Sequence, residues 1–247
     1  MLELSQYKAI HIAVMPFDKI FHLHSTTPKE DERKLYCSCR NVRRMKRLSR
    51  STHVAKYIEN RDWKKLRSCF SCNQCKQSIK KNSNRSFVLL ACQNYAPDDI
   101  ILQLCQLNPD SILARDLTSK QYPLHIAALN GLSDGVIDLL AYAEPDVARE
   151  VDSSGRTPLH LACSKRSSLT VRAANILCAA GPSALGMEDC DGATPMELII
   201  TSGGEVDLKV LDVIHTNTGR YWSSRRKVCG EMYRLTHYSV RRRARPE

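Results

Sequence analysis

A short pattern recurs along this chain at a nearly constant interval, and that recurrence limits the fold more than any single residue does. "GRTPLHLAC" (155–163) has relatives in "YPLHIAALNG" (122–131) and "TPMELIITSG" (194–203), so that Pro123, Pro158 and Pro195 are spaced by 35 and 37 positions. A more degenerate copy, "SFVLLACQNY" (86–95), places Ala91 36 positions before Ala127. The agreement continues downstream: "DDIILQLCQLNPD" (98–110), "DGVIDLLAYAEPD" (134–146) and "VRAANILCAAGPS" (171–183) align so that Pro109, Pro145 and Pro182 coincide. Asp116, Asp152 and Asp189 open the polar links between units.

Local chemistry explains the pattern. Gly155 suits a turn with positive φ. Thr157 is a good N-cap, and Pro158 at the first helical position sacrifices no useful donor. Leu159, Leu161 and Ala162 then give a short helix an apolar face. His160 falls in the first turn, within reach of the Thr157 hydroxyl or a neighbouring hairpin. Each unit therefore reads as short helix, tight turn, longer helix and proline-marked exit. No unit alone buries its apolar face, whereas stacked units share one seam.

These residues resemble the ankyrin repeat, whose hallmark is Thr-Pro-Leu-His-x-Ala within about 33 residues. The resemblance covers roughly 86–216, with 155–163 the closest copy. The second copy has Tyr122 and Lys120 where the third has Thr157 and Gly155, the fourth has Glu197 in place of histidine, and the first lacks both proline and histidine. The resemblance implies an all-α ankyrin-repeat solenoid of stacked helix-turn-helix units with disordered basic tails. It also implies a clasp made of Thr157, Pro158, His160, His125, Thr194 and Pro195. Its function would be protein–protein binding at hairpin tips and first-helix ends, here Ser119, Lys120 and Gln121, then Ser154, Gly155 and Arg156, then Asp191 and Gly192, with Asn130 and Lys165 beside them.

The division expected is 1–50, a disordered basic segment; 51–85, a leading helix and Cys-containing linker; 86–216, the repeat array; and 217–247, a basic cap and tail. Within 51–70, Val54, Tyr57, Ile58, Trp63, Leu66 and Phe70 recur at helical spacing, which suits a helix covering the end of the array or, alternatively, lying on a membrane surface. Tyr221 and Trp222 are expected to cap the other end.

Charge divides along the same lines. Residues 1–85 hold twenty Lys and Arg against seven Asp and Glu, residues 86–216 eight against seventeen, and residues 217–247 nine against two. An acidic array is a poor binder of phosphate backbones, so any polyanion contact falls to the flanks. Arg43, Arg44, Lys46 and Arg47 within "CRNVRRMKRLSR" (39–50), and Arg241, Arg242 and Arg243 near the end, are the residues concerned. Ser49 and Ser51 would offset that charge if phosphorylated.

Of eleven cysteines, Cys92 with Cys163, and Cys105 with Cys178, occupy matching positions where the second unit has alanine, as small core residues. Cys37, Cys39, Cys69, Cys72 and Cys75 do not follow the repeat. They number enough for a zinc site, with His22, His24 or His53 as alternates, but their spacing fits no standard finger. No phosphate loop, nucleophile elbow or His-Glu-x-x-His segment occurs, so no cofactor and no enzymatic role is expected. No apolar run approaches the ~20 residues of a membrane span, and with Glu3 near the start the expected location is cytoplasmic or nuclear.

Overall fold

A computed structural model describes residues 48–81, 86–165, 169–201 and 207–243. These residues form eleven α-helices and no strand. Three helices precede the repeats: α1 (Leu48–Glu59), α2 (Trp63–Phe70) and α3 (Asn73–Lys81). Four helix pairs follow. The first helices are α4 (Phe87–Gln93), α6 (Pro123–Asn130), α8 (Pro158–Ser164) and α10 (Pro195–Thr201). The second helices are α5 (Asp98–Leu107), α7 (Asp134–Ala143), α9 (Val171–Ala180) and α11 (Leu208–Arg243). First helices pack on first helices and second on second, giving two layers over one continuous core.

Each local signal has a structural counterpart. Ser86, Ser133, Thr157 and Thr170 accept backbone amides with their side chains and so begin α4, α7, α8 and α9. Single 3₁₀ turns at Pro109–Ile112, Pro145–Arg149 and Pro182–Gly186 follow the second helices, where the fixed φ of proline suits a chain leaving a helix. Cys92, Cys105, Cys163 and Cys178 are all buried. Burial disfavours the thiolate, pushing Cys105 and Cys178 up to about 12 and Cys92 and Cys163 higher still.

The leading segment differs from a single helix over 51–70. Arg61 adopts a left-handed φ of 54°, and Asp62 caps a new helix by accepting the amide of Lys65 at 3.1 Å. The break folds α2 back, so that α1 packs on α4 while α2 and α3 pack on α5. Val54, Ile58, Leu66 and Phe70 are buried there, with Tyr57 and Trp63 packed against the core. A membrane-facing role for that stripe is therefore replaced by core packing. The stretch expected as a linker is α3, which buries Cys75 and Ile79. Arg67 ties this cap to the array through Nε and Nη2, at 2.8 and 3.0 Å from the two carboxylate oxygens of Asp99.

At the other end, the boundary at 216 falls inside α11, which is helical from Leu208 to Arg243 and includes Arg241, Arg242 and Arg243. Its first part occupies the second-helix place of unit four. Tyr221 and Trp222 then lie over Gly186, where a Cβ would come within 2.6 Å of the Tyr221 ring. The basic residues Arg43, Arg44, Lys46 and Arg47, with Cys37 and Cys39, lie outside the described residues. No described helix is long and apolar enough to cross a membrane.

Candidate functional site

The hairpins between units make the most regular surface of the molecule. Each closes by two backbone hydrogen bonds: Asp116 N to Gln121 O, Asp152 N to Arg156 O and Asp189 N to Ala193 O, with the same aspartate carbonyls accepting from Lys120, Gly155 and Gly192. The opening aspartate then holds the loop from inside. Asp116 accepts the amides of Thr118 and Ser119, Asp152 those of Ser154 and Arg156, and Asp189 those of Asp191 and Ala193. Successive hairpins join edge to edge, Ser153 N donating to Ser119 O at 2.9 Å and Cys190 N to Ser154 O at 3.0 Å. The result is a row of three fingers fixed to one another.

Finger two is the most tightly held. Asp152 is 4% exposed and also receives the Arg156 guanidinium and, at 3.2 Å, the Gln121 side-chain amide. Burial by itself would raise its pKa. The amide of Arg156, the side chain of Gln121 and the amide of Ser154 outweigh that and hold the carboxyl below its usual range.

Behind the fingers stand the histidines. His160 is fully buried. Its Nδ1 accepts from the Thr157 amide at 3.2 Å and from the Thr157 hydroxyl at 2.7 Å. That network assigns the proton to Nε2, which donates to the Met187 carbonyl of the next unit at 3.1 Å. His125 repeats the link to the Glu150 carbonyl at 3.1 Å. Burial lowers both pKa values, that of His125 to about 4. Both rings are engaged on two sides by the scaffold.

Among the described residues no further helix pair follows unit four. There Glu197 turns back on its own cap, accepting the Thr194 amide at 2.7 Å and hydroxyl at 2.8 Å while its own amide donates to Thr194 Oγ1. This is a self-contained capping box, which accounts for the departure from histidine.

The positions carried over as contact residues divide into two groups. Gln121 is buried against Asp152, so it belongs to the scaffold. Asn130 also belongs there: its amide nitrogen donates to Cys92 O and its oxygen accepts from the Tyr95 hydroxyl, both at 3.1 Å. Gly155 lies under the third finger, where a Cβ would stand 3.1 Å from Cys190 N. Arg156 is half-buried on Asp152. Lys120, Lys165, Asp191 and Gly192 are exposed, with Ser119 and Ser154 partly so.

Sequence reasoning passed over one residue. Finger one has one residue more than the others between its aspartate and proline, and the extra residue, Leu117, is 97% exposed. The seven-position interval from Asp116 to Pro123, against six from Asp152 to Pro158, was the available signal.

Cys69 and Cys75 share a small buried cluster with Tyr57 and Cys72. Among the described residues no group of three or more His, Cys, Asp or Glu side chains is placed to hold a metal ion.

Two stacked helical layers with edge-joined fingers define the class: a helical-repeat solenoid. The chain matches the family described as "Ankyrin repeats (3 copies)" over residues 88–183 and again over 124–211. It belongs to the ankyrin-repeat family, whose repeats are protein-interaction modules. Among solved structures, it is similar to the ankyrin repeat domain of Bcl-3, a member of the IkappaB protein family, at 19% identity and a TM-score of 0.46, with 66% of each chain covered. The chain thus spans about two thirds of that domain's length. Comparison with curated proteins gives no match.

Proposed function

We propose that this protein is a non-enzymatic adaptor that binds another protein on the concave side formed by its fingers and first helices. The observation supporting this is the row of three hydrogen-bonded fingers. It fixes the backbone while leaving the side chains of Leu117, Lys120 and Asp191 exposed. Rigid elements that present side chains unused by the scaffold lose little entropy on binding.

The test is affinity capture from cell extract with the full chain and two sets of variants. One set alters the fingers (Leu117→Asp, Lys120→Glu, Asp191→Lys) and the other alters the opposite face (Tyr142→Asp, Asp146→Lys). Partners lost only with the finger set support the reading. Partners lost only with the second set, or with neither, end it.

A second reading, in which the basic flanks hold nucleic acid or an acidic membrane while the array recruits a protein, draws on the exposed Arg220, Arg225 and Arg226 along α11. Binding to such a surface that collapses between low and moderate salt would favour it. Either role would be carried out in the cytoplasm or nucleus.

A further inference from the structure

Although the repeat array carries an excess of Asp and Glu, its charges are not mixed evenly. The acids of the second-helix side are Asp98, Asp99, Asp134 and Asp138, with Asp110, Glu144 and Asp146 around the 3₁₀ turns. Those of fingers one and two are Asp116 and Asp152, both turned inward on backbone amides as described. What projects on this side is cationic: Arg115 and Lys120 on finger one, with Lys165 and Arg61 exposed at the far ends of α8 and α1, while Arg156 on finger two is held by Asp152. Two of these are steadied by aromatic rings, Arg115 over Tyr122 at 5.9 Å and Arg61 over Tyr95 at 5.7 Å. The sign reverses toward finger three, where Glu188 and Asp191 are exposed and Ala193 takes the place of Arg156. Glu150 is exposed at the entrance to finger two, and Glu59 and Asp62 flank Arg61, Asp62 being paired with Lys65.

Resting on the finger-side reading above, we infer that the partner presents an extended acidic segment carrying apolar residues, its carboxylates over Arg115 and Lys120 of finger one and an apolar side chain against Leu117. Arginine guanidinium groups pair with carboxylates through two parallel hydrogen bonds, which fixes direction as well as register. The reversal at finger three sets the polarity, because a uniformly acidic ligand would meet Glu188 and Asp191. The same reversal disfavours a nucleic acid, whose affinity depends on neutralising a continuous run of phosphates, and a fully exposed leucine offers a phosphate nothing. The chain's own basic segments are excluded as occupants by like charge.

A random dodecapeptide phage library selected on the immobilised full-length chain tests this. Enriched peptides should carry Asp or Glu close to Leu, Ile or Phe. They should lose roughly tenfold or more in affinity on the Arg115→Glu/Lys120→Glu chain, where two exposed charge pairs become repulsive. The neutral Arg115→Gln/Lys120→Gln chain should show a smaller loss, and both variants should melt as the parent does. Enrichment without acidic bias, no enrichment, or displacement of the peptides by a single-stranded RNA oligonucleotide would overturn the inference. Peptides without acidic bias that Leu117→Asp still releases would leave the finger-side reading standing. Peptides indifferent to every finger variant would remove both.

Discussion

Fingers two and three have nearly the same sequence frame, "DSSGR" and "DCDGA", yet they occupy different physical situations. Finger two lies between neighbours. Ser153 reaches back to Ser119, Ser154 receives Cys190, and Asp152 is buried under Gln121 and Arg156. Among the described residues, finger three has a neighbouring finger on one side only: Asp189 serves two amides and nothing lies within 4 Å of a Cβ placed on Gly192. Position in a linear array, rather than local sequence, decides what the same residue contributes. The histidines follow the same rule, His160 reaching forward to Met187 while Glu197 closes on its own cap.

The largest expected effect separates the two aspartates. Asp152→Ala strips a buried carboxylate from a guanidinium and two amides and should cost about 3–5 kcal/mol. Asp189→Ala, at a half-exposed site, should cost about 1 kcal/mol. Urea melts of the two variants measure the gap, and equal losses would refute the role assigned to position.

Protonation comes next. The folded pKa of His125 is about 4, below the ~6.5 of an exposed histidine. A depressed folded value means the stability is fully present above the unfolded pKa and is lost as pH falls toward the folded one. On the order of 3 kcal/mol should therefore disappear between about pH 6.5 and pH 4. Burial shifts His160 in the same direction. Thermal melts across this range should show the fall, and His125→Gln should remove part of its slope. A flat profile would mean that the rings are not held neutral.

The glycines sharpen the comparison further. Gly155 and Gly192 share almost the same φ, +73° and +76°, but a Cβ on Gly155 meets Cys190 N at 3.1 Å. Alanine at either position should cost about 1–2 kcal/mol for the left-handed backbone, with an additional loss only at Gly155. Gly192→Ala as damaging as Gly155→Ala would show that finger three has an unrecognised neighbour. The smallest effect is a gain: Lys120 holds the corresponding position at φ 57°, so Lys120→Gly should stabilise by about 1 kcal/mol. The same change should weaken binding of an acidic partner, which separates scaffold from contact surface within one residue.

Much of the scaffold is legible in the sequence because its causes are local. Thr157 before Pro158 caps α8, proline marks each exit from a second helix, and the alternation of buried alanine with cysteine follows the repeat register. The contact surface is less legible. Gln121, Asn130 and Arg156 read as exposed polar residues, and all three are occupied by partners 31, 38 and 4 positions away in the chain. Nothing near Gln121 or Asn130 in sequence announces those partners, and the pairing of Arg156 with Asp152 follows from the hairpin that turns the two together. The break at Asn60–Asp62 was equally hidden, since the apolar spacing on either side continues through it and only the packing of α2 onto α5 rewards the turn.

The sequence by itself determined the repeat, its period, its capping chemistry and the division into acidic array and basic flanks, all consequences of near-neighbour sterics and composition. Tertiary structure alone decided which fingers are sandwiched, which carbonyl each buried histidine reaches and which polar side chains face solvent. Those outcomes depend on contacts between units some 35 residues apart, where stacking brings together groups that the chain keeps far from one another.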